Sequence, residues 1–541
     1  MRVFALSLTS ILLFAQAPSR LQTGYDSIQA AKLKADLTFL SSDAMEGRRS
    51  LERGDDAAIQ WIASEFAKAG LKPMTGDSYL QPVPLIEYQM DRTQTALTLH
   101  LGGQTETFHA PDATGTFSNE AIVSGAVVFA GFGITAPELG YDDYAGIDAK
   151  GKVVLIFNHE PQESDADSIF NGRGNSRYNN NYSKVLNAQR HSAVAVMTMA
   201  DPNHGGGRAG AGRGAAGRGR GQQQQQLRPR IPPEALAEGG TAIPTFNLSA
   251  AVAAKFFAAA SKSPADVQTA IDAKLAPASF SVPGASVELH TVVTERKRAN
   301  SYNVAGLLEG TDPSLKAETI VFSAHHDHDG VGPAGIMHGA DDNGSGTVGV
   351  VALAHAFVMN PVKPKRSLLF VVFAAEERGL LGAHYYVAHP LRPLDTTRAE
   401  INFDMIGRNE AQVNPDVPQP ELSADTSNEL GLIGTHYSPD YRETVERNNK
   451  IVGLNLTYKW DHDATQQVLF RSDQYPFLMH DIPAVWWFTG FHPDYHQVTD
   501  TVEKINFAKM AKILKLAYLS GFEFADGKNP PRLQGRAHSV E

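Results

Sequence analysis

With 541 residues, the sequence is too long for one hydrophobic core, so two folded units are expected. Its net charge of −11 is spread along the chain, which argues against a nucleic-acid partner. The sequence contains no cysteine, which excludes disulfides, a thiolate nucleophile and a sulfur-ligated metal. Any bound metal must therefore be held by His, Asp and Glu side chains.

The N-terminus has the features of a secretory signal peptide over residues 1–17. One arginine precedes an apolar stretch from Val3 to Phe14, and the small residues Ala15-Gln16-Ala17 supply a cleavage site. An uncleaved, membrane-anchoring start is the alternative, since Pro18 is unfavourable just after a cleavage site. No later segment approaches the ~20 apolar residues of a membrane helix, so no transmembrane segment is expected in the mature chain. We predict an exported protein, periplasmic or secreted.

Residues 18–110 are predicted to form the first part of the main folded unit. Leu33, Leu37 and Leu40 recur at helical spacing, and a second apolar stripe at the same period runs from Ala58 to Ala69. These patterns predict packing helices. The charged segment Asp43 to Arg49 between them is interpreted as a solvated loop.

Residues 111–280 are predicted to form a separate β-rich domain, because short apolar runs there are broken by Gly and Pro. Asp142, Asp143 and Asp148 lie beside Gly and Tyr, where turn and capping roles are favoured over metal binding. Residues 203–230 are a low-complexity tract of Gly, Ala, Arg and Gln, which predicts a disordered loop. Arginine-glycine segments can bind RNA, but a solvated loop is the favoured interpretation. Ile243 to Phe257 is predicted to be the last strand and helix of this domain.

Residues 281–541 return to the main unit and alternate strand, turn and helix, which is typical of an α/β sheet with helices on both faces. The predicted helices begin at Ser345 and at Gly379. The predicted strands are Asn303 to Leu308, Thr319 to Ala324, Ser367 to Ala375 and Ala399 to Phe403.

Three of these strands end in carboxylate or imidazole side chains, and open α/β sheets place their sites at the carboxyl ends of strands. The polar residues at these three strand ends are His325 with Asp327, Glu376 with Glu377, and Asp404. Within the HHDH run, a period of two puts His325 and Asp327 on one side of the strand, opposite His326 and His328. Only one pair is expected to face the site. The sequence favours the first pair, because a ligating imidazole needs a carboxylate to fix its orientation.

Five segments together resemble metallopeptidase family twenty-eight, the di-zinc aminopeptidases, which also includes glutamate carboxypeptidase relatives. They are AHHDHDG, GADDNGSGT, FAAEERGLLG, NFDMIG and DYHQVTDT, in the order of the family. A sixth segment, FGITAPELGYDDYAGIDAKGKVVLI, resembles the protease-associated domain that some zinc peptidases carry. The resemblance implies an α/β core with a mixed, mostly parallel sheet, helices on both faces and an inserted protease-associated domain.

The resemblance also assigns roles to individual residues. His325 and Asp404 would bind one zinc ion, Glu377 and His496 the other, and Asp342 would bridge both. Glu376 would be the general base. Asp327 is placed with it in the catalytic machinery, and Asp341 is left as a turn residue.

Other polar residues near these motifs are given smaller roles. Tyr495 would contact the substrate carbonyl or pack as an ordinary aromatic side chain, and His492 is interpreted as a turn residue. Gln474 stands where relatives often have His and is given no ligand role. His462 and Asp463 are predicted to lie on a loop at the rim of the site.

The charges of the implied ligands suit two zinc ions. Three carboxylates, from Asp342, Glu377 and Asp404, leave one of four positive charges to be balanced by a bridging hydroxide. The sequence therefore predicts a di-zinc exopeptidase that acts on peptides, with an aminopeptidase favoured. A carboxypeptidase or dipeptidase of the same family is the first alternative and would need an arginine-lined pocket, for which Arg378, Arg408 and Arg471 are available. A non-catalytic binding protein similar to transferrin receptor is the second.

Overall fold

A computed structural model describes residues 17–203, 232–413, 419–463 and 466–533. The predicted signal peptide up to residue 16 and the low-complexity tract from residue 204 onwards lie outside the described residues. Within the described ranges, no helix is long and apolar enough to cross a membrane.

The described residues form two large sheets and the helices packed on them. In chain order the strands are β1 (Lys72–Pro73), β2 (Leu80–Met90), β3 (Ala96–Leu101), β4 (Gln104–Phe108), β5 (Ala113–Thr116), β6 (Ala121–Phe129), β7 (Thr135–Ala136), β8 (Tyr141–Asp142), β9 (Val153–Phe157), β10 (Ala195–Met199), β11 (Glu234–Leu236), β12 (Thr245–Leu248), β13 (Phe280–Thr291), β14 (Val293–Leu308), β15 (Thr319–His325), β16 (Gly330–Gly332), β17 (Gly335–Met337), β18 (Ser367–Phe373), β19 (Thr397–Phe403), β20 (Glu429–Ile433), β21 (Asn455–Thr457) and β22 (Ala484–Phe488). The α-helices are α1 (Gln22–Ser27), α2 (Ala30–Leu40), α3 (Arg53–Ala69), α4 (Asn181–Arg190), α5 (Ala250–Ala259), α6 (Pro264–Lys274), α7 (Gly346–Met359), α8 (Leu381–Ala388), α9 (Pro439–Val452), α10 (Gln474–Leu478) and α11 (Phe507–Asp526).

The main sheet has the order β11-β2-β14-β18-β15-β19-β22-β20-β21, with β1 paired to β14. Its centre is parallel, because β15 pairs in parallel with β18 and β19, and β19 with β22. Antiparallel pairs flank this centre, so the sheet is mixed as predicted, with parallel pairing mainly in the middle. Every residue of β15 and β18 is buried, as a continuous apolar run predicts.

Apolar side chains fill the space on both faces of the main sheet. Along β15, Ile320 and Phe322 belong to a core with α2, α3, α7 and α11, whereas Val321 belongs to a second core with α8 and α10. Alternate residues of a strand point to opposite faces, so helices cover both sides of the sheet. The predicted α/β architecture is confirmed.

The second sheet has its own core and the order β4-β3-β13-β6-β9-β10-β12-β5. This sheet includes more of the chain than the predicted range 111–280, because β3, β4 and most of β13 also belong to it. The alternating pattern of β3 and β4 around the turn Gly102-Gly103 is the sequence signal for these strands. Conversely β11, which lies within the range 111–280, pairs with β2 at the edge of the main sheet.

Two neighbouring strands connect the sheets. β2 and β14 pair antiparallel, from Leu80 opposite Val304 to Met90 opposite Val293. After Met90 the chain continues into β3 of the second sheet, and it returns from β13 of that sheet to begin β14 at Val293. The chain thus leaves the main unit and re-enters it at adjacent positions.

The interpretation of Asp43 to Arg49 as a solvated loop is wrong. The segment forms a short 3-10 turn in which Met45, Gly47 and Arg48 are buried. Arg48 has no exposed surface, and its guanidinium donates to the carbonyl oxygens of His326, His338 and Gly339 at 2.7–2.8 Å. These partners lie almost 300 residues further along the chain, so local sequence could not reveal the burial.

Candidate metal centre

The parallel strands at the middle of the main sheet bring the predicted site residues to one edge. β15 ends at His325, Glu376 and Glu377 follow β18, and Asp404 follows β19. Asp342 comes from the turn before α7, and His496 from the loop after β22. The sheet order places β18, β15, β19 and β22 side by side, so their carboxyl ends converge as predicted.

The first group of donors surrounds the imidazole of His325. Its Nε2 lies 3.6 Å from Asp342 Oδ1, 3.6 Å from Asp404 Oδ1 and 3.7 Å from Glu376 Oε2. His325, Glu376 and Asp404 are buried. Ligand atoms around one zinc ion, each bonded at ~2.0–2.1 Å, lie about 3.3 Å apart. The spacing of this group therefore suits one cation.

The second group surrounds the imidazole of His496. Its Nε2 lies 3.0 Å from Asp342 Oδ2 and 3.3 Å from Glu377 Oε1. Asp342 thus presents one carboxylate oxygen to each group. This is the arrangement of a carboxylate that bridges two ions.

Several buried atoms in these groups have no hydrogen-bond partner. They are His325 Nε2, His496 Nε2 and Asp404 Oδ1, on side chains that are 1%, 8% and 6% exposed. Buried polar atoms are normally paired, so atoms left unpaired point to a missing ligand. A set of imidazole nitrogens and carboxylate oxygens suits zinc, so the residues present fit two zinc ions.

The electrostatics of the first group also favour a cation. Burial raises the pKa of Glu376 well above its ordinary value, with His325 opposing the rise and Glu377 adding to it. Burial lowers the pKa of His325, but the carboxylates of Glu376 and Asp404 raise it further, so the net result is a pKa well above the usual value. The raised pKa of His325 therefore reports the negative charge of the surrounding carboxylates, which a bound cation would neutralise.

Asp327 occupies a different position from the predicted one. His325 Nδ1 lies 3.1 Å from the backbone carbonyl oxygen of Asp327 and 3.6 Å from its carboxylate. The carboxylate instead accepts hydrogen bonds from the backbone N–H groups of Glu376, at 2.9 Å, and Glu377, at 3.2 Å. Asp327 therefore positions the two glutamates, and its main chain orients the imidazole.

The expectation that only one pair of the HHDH run faces the site is wrong for His328. His326 does point away, towards Asp55 and the carbonyl oxygen of Tyr302. His328 Nδ1, however, lies 3.0 Å from Glu377 Oε1, beside the second group. Regular strand geometry ends at His325, so the alternation does not extend to His328.

Asp329 is a site residue that sequence reasoning missed. Its Oδ2 lies 2.7 Å from His496 Nδ1, and its Oδ1 accepts a hydrogen bond from Arg378 at 3.3 Å. The carboxylate thus fixes the ring orientation of His496. The available signal was a further carboxylate in the polar run His325 to Asp329, at and directly after the end of the strand.

The turn that carries Asp342 is held by further buried carboxylates. Asp500 Oδ2 accepts hydrogen bonds from the backbone N–H groups of Asp341 and Asp342, at 3.0 and 3.2 Å. Asp341 accepts from the N–H of Gly407 at 2.6 Å and lies 3.2 Å from His492 Nε2. Asp341 and His492 are therefore buried supports of the turn and belong to neither donor group.

Asp404 is fixed by two contacts. Its Oδ2 accepts a hydrogen bond from Ser472 Oγ at 2.7 Å, and its carbonyl oxygen accepts one from the indole of Trp486 at 2.8 Å. Gln474, two residues beyond Ser472, donates to the carbonyl oxygen of Leu469 at 2.9 Å.

Tyr495 and Arg471 form a pair beside the centre. Arg471 donates to the hydroxyl of Tyr495 at 2.9 Å and lies over the ring of Phe491. The other two arginines considered for a substrate pocket are held by carboxylates, Arg378 by Asp329 and Arg408 by Asp494.

The loop of His462 and Asp463 faces the second folded unit. The carbonyl oxygens of Asp461 and Asp463 accept hydrogen bonds from Asn171 and Asn175, each at 3.0 Å. The side chains of His462 and Asp463 lie in neither donor group. The loop thus contacts the second unit, and its place at the rim of the site stays a prediction.

Comparison with known proteins finds a family match in the same part of the chain. Residues 303–519 match the model of Peptidase family M28. Leucine aminopeptidase 2 of Arthroderma otae is 27% identical over 236 residues, which are 40% of this chain and 43% of the relative. Aminopeptidase YwaD of Bacillus subtilis is 28% identical over 242 residues, which are 43% of this chain and 46% of the relative. The match thus spans less than half the length of these relatives.

Solved structures similar to this one include two aminopeptidases. The aminopeptidase from Aneurinibacillus sp. strain AM-1 aligns over 95% of this chain and 97% of its own, with a TM-score of 0.44 and 18% identity. BSAP, a zinc aminopeptidase from Bacillus subtilis, aligns over 93% of this chain and 96% of its own, with a TM-score of 0.43 and 19% identity.

Proposed function

From the match of residues 303–519 to Peptidase family M28, we propose that the chain belongs to this family and is a di-zinc exopeptidase that removes N-terminal residues from peptides. The observation that carries the proposal is the position of Asp342 between two imidazoles. One carboxylate oxygen faces His325 and the other faces His496, and both imidazole nitrogens are buried without a hydrogen-bond partner.

In this proposal each donor group holds one zinc ion. His325 and Asp404 would hold the first ion, Glu377 and His496 would hold the second, and Asp342 would contribute one carboxylate oxygen to each. A pair of bound zinc ions activates water, polarises the scissile carbonyl and stabilises the charge that develops on its oxygen. His328 lies beside the second group and holds Glu377 through its Nδ1.

Glu376 is the proposed general base. Its carboxylate lies 3.7 Å from His325 Nε2, at the edge of the first donor group, and its backbone N–H is anchored by Asp327. A buried carboxylate with a raised pKa retains affinity for a proton near neutral pH. Glu376 would take a proton from the attacking water and deliver it to the nitrogen of the leaving amine as the C–N bond breaks.

Tyr495 is the proposed contact to the substrate carbonyl. Its hydroxyl accepts a hydrogen bond from Arg471, which leaves the phenolic hydrogen available to donate. Its neighbour in the chain is His496, so the hydroxyl is carried by the loop that supplies the second donor group.

Replacement of the base tests the mechanism. Glu376→Gln should lower kcat by ~10²–10⁴-fold, because the amide cannot accept the proton of the water. Zinc content should remain unchanged, since His325, Asp404 and Asp342 remain to hold the first ion. Glu106→Gln, an exposed residue paired with Lys255, is the control. Unaltered hydrolysis by a zinc-loaded Glu376→Gln protein would refute the assignment.

A carboxypeptidase or dipeptidase is the second candidate, and Arg471 is the observation in its favour. Its guanidinium contacts the hydroxyl of Tyr495 and two aromatic rings, and the carboxylates of Glu376 and Asp342 act on its charge from nearby. An arginine in this position beside the centre would attract a substrate carboxylate. A free aminoacyl anilide, its N-blocked form and a peptide blocked at its C-terminus separate the candidates. An aminopeptidase cleaves the first and third and spares the second, whereas a carboxypeptidase spares the third.

The transferrin receptor-like alternative predicts zinc binding or partner binding without hydrolysis of any of these substrates.

We also propose that the second sheet is a protease-associated domain and that the protein is exported after removal of residues 1–17. Mass spectrometry of the mature protein recovered outside the cytoplasm checks the last point, since retention of residues 1–17 would contradict it.

A further inference from the structure

A third cluster of imidazole and carboxylate side chains lies in the second sheet. β9 and β10 are adjacent parallel strands, and His159 and Asp201 each stand two residues beyond the carboxyl end of one of them. Glu163 lies on the loop that follows β9. The cluster therefore occupies the same kind of place in its sheet as the metal centre does in the main sheet.

The distances in this cluster match those of the metal centre. His159 Nδ1 lies 3.1 Å from Glu163 Oε2 and 3.2 Å from Asp201 Oδ1. Around His496 the corresponding distances are 3.0 and 3.3 Å. One donor atom from each of the three residues lies within 4.8 Å of the others, so a single ion can contact all three.

The imidazole of His159 is shared by two carboxylates. Oxygens of Glu163 and Asp201 both lie close to its Nδ1 atom. Burial lowers the pKa of His159, but the two carboxylates raise it to about 9. A divalent cation can take the place of the proton held between these groups, since metal binding releases protons from its ligands. Nitrogen and oxygen atoms arranged about a common centre are typical of metal ligands.

The acidic groups around the cluster outnumber the basic ones. The buried ammonium of Lys184 is the nearby cation, and the carboxylates of Asp201, Glu160, Asp143 and Glu163 all act on it. Lys184 itself donates to the carbonyl oxygens of Phe157 and His159. Burial raises the pKa of both Asp143 and Glu160 to about 7, so the carboxylates counted here are those of Asp201 and Glu163. With a neutral imidazole, these two charges exceed that of the one ammonium, and a divalent cation would balance the excess.

We propose that His159, Glu163 and Asp201 bind a divalent cation of the zinc type, separate from the metal centre of the main sheet. One imidazole and two carboxylates are borderline ligands that zinc accepts, with water completing the coordination. The ion is structural, because it ties the end of β9 to the end of β10.

The ion would also fix the start of the loop that joins the two folded units. Next to His159, Glu160 accepts hydrogen bonds from the N–H and hydroxyl of Ser176. Arg177 then donates to the carbonyl oxygen of Leu478 in the main unit at 2.7 Å. Binding at His159 would therefore stabilise the contact between the units.

Metal analysis of the purified full-length protein tests the proposal. After dialysis against zinc and removal of free ions, His159→Ala and Asp201→Asn should each contain one zinc equivalent fewer than the unchanged protein. His100→Ala, which alters an exposed histidine of the same sheet, should retain the full content. The expected difference is one equivalent whatever number the metal centre of the main sheet holds, so the result does not depend on the proposed function.

A complementary variant keeps the test decisive if His159→Ala folds poorly. His325→Ala combined with His496→Ala removes the imidazole from each donor group of the main centre and should still bind one zinc ion. Hydrogen exchange in residues 158–180 should slow when zinc is added to this variant and should not respond in a form that also carries Glu163→Gln. Equal zinc content in His159→Ala, Asp201→Asn and the unchanged protein, or no zinc in the His325→Ala, His496→Ala variant, would overturn the proposal.

Discussion

His496 owes its orientation to a residue that touches no proposed ion. Asp329 contacts the Nδ1 atom of the ring, and Arg378 holds the other oxygen of Asp329. This arrangement leaves Nε2 directed at Asp342 and Glu377. Carboxylates in this position fix the tautomer of a ligating imidazole and increase its basicity.

Loss of this contact should weaken zinc binding. In Asp329→Asn the amide is a poorer acceptor for the Nδ1 hydrogen, so the affinity of the second donor group should fall by ~10–100-fold. Competition with a chelator of known affinity measures the change. Asp395→Asn, at an exposed position away from the centre, is the matched control and should leave the affinity unaltered. Equal affinity in both variants would show that Asp329 does not support the ligand.

At the scale of elements, the turn between β17 and α7 brings the backbone of Gly339 into close contact with Asp342 and His328. Gly339 has a φ of +54°, and its carbonyl oxygen accepts from Arg48. A Cβ atom at this position would overlap the carbonyl oxygen of Asp342 and lie 2.6 Å from His328 Cδ2. Glycine is therefore required both by the left-handed backbone and by the packing of two site residues.

Gly339→Ala should lower the stability of the protein by more than the cost of a left-handed alanine, and it should also lower the zinc content. A left-handed alanine costs roughly 1–2 kcal/mol, and displacement of Asp342 adds to this cost and lowers the zinc content. Gly453→Ala is the matched control, since Gly453 has a φ of +72° and open space around its Cβ direction. The thermal unfolding temperature and the zinc content should both be lower in Gly339→Ala than in Gly453→Ala. A Gly339→Ala protein that behaves like Gly453→Ala in both measurements would contradict this account.

The same elements show what local sequence can predict. β15 and β18 were predictable because buried parallel strands are continuous apolar runs, and polar residues begin where the strands end. Arg48, Asp329 and His328 were not predicted in their observed positions. Their environments depend on contacts between segments far apart in the chain, or on the geometry of a loop after a strand has ended.

At the scale of the whole molecule, stability should depend on pH through buried carboxyl groups of the second sheet. Burial raises the pKa of Asp143 to about 7, although the hydroxyl of Tyr141 and the N–H groups of Ile134 and Phe132 oppose the rise. Because the folded state holds its proton more tightly than the unfolded state, this group reduces the free energy of unfolding as pH rises from about 4 to about 7.

Asp143→Asn should remove this pH dependence. Between about pH 4 and pH 7 the free energy of unfolding of the variant should fall less steeply than that of the unchanged protein, by up to roughly 1.4 kcal/mol per pH unit. Denaturant unfolding followed at several pH values measures the slope. Asp148→Asn, at an exposed turn position, should keep the original slope. An Asp143→Asn slope equal to that of the unchanged protein would show that Asp143 is ionised equally in both states.

The ribbon formed by β2 and β14 has a practical consequence for engineering. Met90 and Val293 are cross-strand partners, so the chain between them could be excised and the cut ends joined by a two-residue type I′ turn such as Asn-Gly. The product would be a β-hairpin that closes the main unit and lacks the edge strand β11 and the contacts that Asn171, Asn175 and Arg177 make with that unit. Such a minimal protein would show which properties of the full chain reside in the unit that carries His325 and His496.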